Sequence, residues 1–135
     1  MWAVSSREPT SRPPQLFLAA LVLAAEAFAA IVFALVEVVQ INAARALVGA
    51  GVALLMLGLG VFLAAVARGV RSSRRWSRGP AVATQLLQLM IGFSFGGGST
   101  WWVGMLLGGS AVVVLGCLLT PAATAAFTSP GASQD

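Results

Sequence analysis

The stretch that decides the fold is ALVGAGVALLMLGLGVFLAAVA (46–67) followed at once by RGVRSSRRWSR (68–78). Twenty-two residues without a charge give way to eleven that carry five of the chain's eight basic residues. As a helix the first part is ~33 Å long, enough to cross a hydrocarbon core of about 30 Å. The second part holds Arg68, Arg71, Arg74, Arg75 and Arg78. Clustered arginines beside an apolar run mark the cytoplasmic side of a membrane segment. They also suit contact with anionic lipid head groups.

Composition supports an integral membrane protein. Over 135 residues the apolar fraction is 59%, the charged fraction 9% and the mean hydropathy +0.92. A soluble domain is roughly 45–50% apolar and about 25% charged. The sequence pI of 11.5 does not point to nucleic acid. All eight basic residues are arginine, with five in one connector and two, Arg7 and Arg12, near the N-terminus. That distribution fits orientation in a bilayer.

Working outward, Gln15–Val39 is a second long apolar run, preceded by Pro13 and Pro14, where a helix can begin. Glu26 lies near its middle and Glu37 near its end. A central acidic residue costs roughly 2.5–3.5 kcal/mol on insertion, and each Leu, Ile, Phe or Val returns about 0.3–0.6. Fourteen such residues keep insertion favourable. The uninterrupted apolar length argues against a cleaved signal peptide, despite Ala25-Glu-Ala27. On the other side of the Arg connector, Gly79-Pro80 opens a third run, 80–95, which is short for a span at ~24 Å. Gly96–Thr100 is a turn, and Trp101-Trp102 opens a fourth run, 101–119.

These runs predict an all-α membrane four-helix bundle of antiparallel neighbours over 15–120, with spans 15–39, 46–67, 80–95 and 101–119. Residues 1–14 and 121–135 read as disordered cytoplasmic tails, polar or small and punctuated by proline. With the Arg connector inside, both termini of this multi-pass chain are cytoplasmic, in a bacterial cytoplasmic membrane. Gly49 and Gly60, and Gly104 with Gly108 and Gly116, fall at spacings that let helices approach closely.

That topology brings three polar side chains to one depth: Glu26, Gln88 and Ser110, with Gln85 one turn from Gln88. An ionisable group in mid-membrane is a functional hypothesis by default. Glu26 reads either as an interhelical tie to Gln88 or as a residue that exchanges a proton in a transport cycle. At the outer boundary Glu37 and Arg45 face each other across a short turn and are expected to pair.

No histidine is present, so Ser-His and Cys-His catalysis is excluded. The single cysteine, Cys117, lies in an apolar run and reads as a small hydrophobe. No enzyme activity, metal or cofactor is expected. The partners expected are the lipid bilayer and another membrane protein or a second copy of the chain.

Thr84-Gln-Leu-Leu-Gln-Leu89 and Leu118-Leu-Thr-Pro-Ala-Ala-Thr-Ala125 resemble small four-span membrane proteins of actinobacteria, over the C-terminal half. That resemblance implies a four-span fold and no particular activity. Glu26 and the Gly108/Gly109 face also bear a weaker likeness to small multidrug resistance transporters. Those carry an essential membrane glutamate in span one and a glycine-containing dimerisation face in span four. The chain lacks the Tyr of that family's aromatic cage and its glycine-rich third span. Two functions follow: an interaction or accessory subunit, or a proton-coupled exporter using Glu26.

Overall fold

The structure, a computed structural model, describes residues 12–128. Among these the regular elements are helices: α1 (Pro14–Val39), α2 (Ala46–Arg71), α3 (Arg75–Ser94), α4 (Trp101–Leu118) and α5 (Pro121–Thr128). The helices α1, α2 and α4 are long and apolar enough to cross a membrane; α3 is not among them.

α1 starts at Pro14, where proline's missing N–H is no loss, and Leu16 N–H bonds the Pro13 carbonyl at 3.0 Å. Its buried residues are Leu16, Ala19, Ala20, Leu23, Ala27 and Ala34, a stripe at helical spacing. The opposite face, with Phe17, Leu21, Phe28 and Leu35, is exposed and apolar. Neighbouring helices share this pattern, as Leu47, Leu54 and Leu55 show on α2. A continuous apolar exterior of this kind fits lipid as the surrounding solvent.

α1 packs on α2 and α4, and α3 packs on α4 and α2. α1 and α3 therefore stand diagonally across a ring of four helices. Two close crossings hold the ring's sides. A Cβ on Gly60 would lie 2.5 Å from Ile31 Cγ1 and 3.0 Å from the Ala27 carbonyl, so α2 meets α1 there. A Cβ on Gly104 would lie 2.6 Å from the Gly92 carbonyl, so α4 meets α3 backbone to backbone.

Several expectations need correction. The Arg connector is mostly helix: Arg68 and Arg71 end α2, Arg75 and Arg78 begin α3, and only Ser72–Arg74 turns between them. The turn is a Schellman motif, with Ser73 N–H on the Val70 carbonyl (3.0 Å) and Arg74 N–H on the Gly69 carbonyl (2.9 Å). Ser73 holds the left-handed position, φ 55°, where glycine is usual. This closure is local, and arginine is a good helix former, so both helices run into the charged stretch. α3 thus begins at Arg75, with Pro80 inside it, not at Pro80.

The expectation of disorder from residue 121 fails for 121–128, which form α5. Thr120 Oγ1 accepts from Ala123 N–H at 3.3 Å as an N-cap, Pro121 follows it, and alanines fill the helix. Phe127, 2% exposed, and Ala123 bury its inner face. Arg75 donates to the Thr128 carbonyl (3.3 Å) and Arg78 to Thr124 Oγ1 (3.1 Å) from α3. The expected tails at 1–11 and 129–135 lie outside the described residues.

Candidate functional site

Inside the ring, α3 turns Gln85 and Gln88 inward while Leu86, Leu87, Met90 and Phe93 face out. Three residues apart on a helix, the two amides share a face. α1 presents Glu26 opposite them, one residue before the tight crossing of Ala27 with Gly60. α4 supplies Ser110.

The structure brings all four together. Gln85 Nε2 donates to Glu26 Oε2 at 2.9 Å, and Gln88 Nε2 donates to Glu26 Oε1 at 2.8 Å. Gln88 Nε2 also donates to Ser110 Oγ at 2.7 Å and approaches the Leu107 carbonyl at 3.2 Å. The Ser110 hydroxyl in turn donates to that carbonyl at 3.0 Å. Both carboxylate oxygens of α1 are thus engaged by donors from the diagonal helix, and α4 is drawn in through serine. Gln85 is fully buried, and its Oε1 has no partner.

The remaining sequence candidates divide. Glu37 and Arg45 are not joined in an ion pair. The Arg45 backbone N–H bonds Asn42 Oδ1 at 3.2 Å, and the Arg45 side chain is exposed. An exposed pair gains little, so nothing holds the two side chains in one geometry. Gly60 and Gly104 sit at helix crossings, and a Cβ on Gly49 would meet Ile41 Cγ1 at 3.1 Å. Gly108 contributes only its backbone, 3.3 Å from a Cβ built on Gly92. Gly116 faces open space, where an added Cβ meets nothing within 4 Å. Gly69 was not singled out from the sequence, yet its missing side chain admits Ser77 Cβ of α3, 2.5 Å from a built Cβ. Its Gly69-Val-Arg context carries no packing signal, because the partner helix is set by the turn.

Among the described residues no three His, Cys, Asp or Glu side chains gather as metal ligands. Comparison with family models, with curated proteins and with solved structures finds no match to this chain.

Proposed function

We propose that the chain is a four-span protein of the bacterial cytoplasmic membrane, with both termini cytoplasmic. In this reading it serves as an interaction or accessory subunit whose Glu26 cluster is a structural tie. The observation that carries it is the engagement of both Glu26 oxygens by Gln85 and Gln88. A carboxylate held by two amides from the diagonal helix fixes register and depth, as polar side chains do between membrane helices.

Four spans are supported by the sidedness of α3. Gln85 and Gln88 turn into the ring and Leu86, Leu87, Met90 and Phe93 face out, so neighbouring helices shield the two amides. At 20 residues it is ~30 Å long, with Arg75 and Arg78 in its first turn at the arginine-rich end. Five arginines at one end of the bundle against Arg45 at the other support the orientation. For the accessory role, an apolar groove of about 530 Å³ between α3 and α4, lined by Gly92, Gly96, Gly104 and Gly108, offers a second membrane protein's helix a close approach.

A proton-coupled exporter is the second reading, favoured by one observation: the unpartnered, buried Gln85 Oε1 beside Glu26. Turning that amide over would offer an acceptor to a protonated Glu26, giving the cluster two arrangements. Liposomes containing wild type or Glu26→Gln, assayed for proton-coupled uptake of cationic dyes, separate the two. Dye movement by wild type and not by the variant overturns the accessory reading. No movement of dye or protons by either protein removes the exporter. Co-purification in mild detergent then tests the partner, and a lone monomer counts against a subunit.

A further inference from the structure

The arginines at the α2–α3 end fall into two sets with different tasks. Arg75 and Arg78 reach α5. Arg68, Arg71 and Arg74 instead line a cavity of about 560 Å³ together with Arg12, Ser72 and Trp76. Among the described residues no carboxylate lines it, and none of those four guanidinium groups has a hydrogen-bond or ion-pair partner. Four cationic groups on one concave surface repel one another unless an anion joins them. Guanidinium suits phosphate oxygens, which it binds with two parallel N–H donors.

A second cavity, about 350 Å³ and lined mainly by apolar side chains, adjoins the first. It runs between α1 and α2, with Phe17, Ala24, Phe28 and Ala64 among its lining residues. Arg68 and Arg71 line both cavities. From Phe17 to Ile31 the groove follows α1 for ~21 Å, somewhat more than the ~15 Å of one leaflet's hydrocarbon. A cationic seat thus adjoins an apolar groove of acyl-chain length.

We propose that this composite site holds one anionic phospholipid, its phosphate among Arg12, Arg68, Arg71 and Arg74 and one acyl chain in the α1–α2 groove. The proposal rests on the membrane reading above and adds to it a specific lipid partner. Trp76 beside the cavity is placed as an interfacial anchor.

The test uses the full chain, first floated with phosphatidylcholine vesicles. Failure to float overturns the membrane reading and the lipid site with it. The floated protein is then extracted into zwitterionic detergent and titrated with phosphatidylglycerol or phosphatidylcholine of equal chain length, with bound lipid counted by native mass spectrometry. Wild type is expected to retain one phosphatidylglycerol in preference to phosphatidylcholine. Arg71→Gln/Arg74→Gln should weaken that retention by roughly 30-fold, at two head-group arginines. Ala24→Phe, which fills the groove and leaves the arginines, should weaken retention of phosphatidylglycerol several-fold. Arg45→Gln, which removes one positive charge at the other end, should leave it unaltered.

Equal retention by wild type and the double arginine variant overturns the site, as does an equal loss with Arg45→Gln. Displacement of the lipid by inorganic phosphate at comparable concentration also overturns it, and would assign the arginine cavity to a soluble anion. Circular dichroism of each variant keeps loss of fold distinct from loss of lipid.

Discussion

Gln88 Nε2 lies 2.8 Å from Glu26 Oε1, joining helices that stand diagonally across the bundle. The same nitrogen lies 2.7 Å from Ser110 Oγ, so one amide ties three helices at one depth. Apolar packing between membrane helices tolerates sliding, because lipid tails are as apolar as the faces they replace. A directional bond at the centre does not. On the proposed reading Glu26 specifies which arrangement of the four helices is stable.

The glycines of α4 should differ sharply in tolerance. Gly104→Ala puts a methyl 2.6 Å from the Gly92 carbonyl, and backbone cannot yield as a flexible side chain can. It should destabilise the chain by about 1–3 kcal/mol, as overpacking does. Gly116→Ala adds a methyl that meets nothing within 4 Å and should be neutral or slightly stabilising, since Ala favours helix. Thermal unfolding of both variants in detergent checks the contrast.

Ser73→Gly should stabilise. Its φ of 55° costs an L-residue about 1–2 kcal/mol, partly offset by glycine's greater freedom in the unfolded chain. The change also removes a buried hydroxyl without a partner. A gain of roughly 0.5–1 kcal/mol is expected in denaturant unfolding, whereas Ser73→Val should lose stability.

α5 should detach alone. Phe127→Ala removes its main buried side chain, and Arg78→Gln removes the donor to Thr124. Hydrogen exchange at 121–128 should quicken at least tenfold in the double variant, by about 1.4 kcal/mol or more of lost local stability. Exchange in α1 and α2 should stay as it was.

The passage of α3 can be read by labelling. In a Cys117→Ser background, Ser72→Cys and Ser99→Cys place single thiols in the turns on either side of α3. An impermeant thiol reagent on intact cells should label Ser99→Cys, and Ser72→Cys only after permeabilisation. Labelling of both from one side means that α3 does not cross.

How much of this was legible in the sequence follows from where the physics is local. The α1 and α4 boundaries came within one residue, because proline, the Trp pair and the end of apolar character mark them directly. The meeting of Glu26, Gln88 and Ser110 was legible too, because helical rise alone puts them level. The extent of α2 and α3 was not. Hydropathy falls at Arg68, but the helix continues to Arg71, since charge ends a span without ending a helix. α5 was written in Thr120-Pro121 followed by alanines, a capped helix start masked by its small-residue composition. The division of the arginines between α5 and the open cavity was out of reach. It depends on a Ser73 turn and an α5 docking site that only the assembled bundle creates.

The central claim is that Glu26 and Gln88 act as a tie. A double-mutant cycle on the full chain, with Glu26→Leu, Gln88→Leu and the pair compared by reversible unfolding in detergent, measures it directly. A coupling of about 0.5–2 kcal/mol is predicted, in the range of interhelical polar bonds in membranes. Effects that add to within about 0.3 kcal/mol would contradict it.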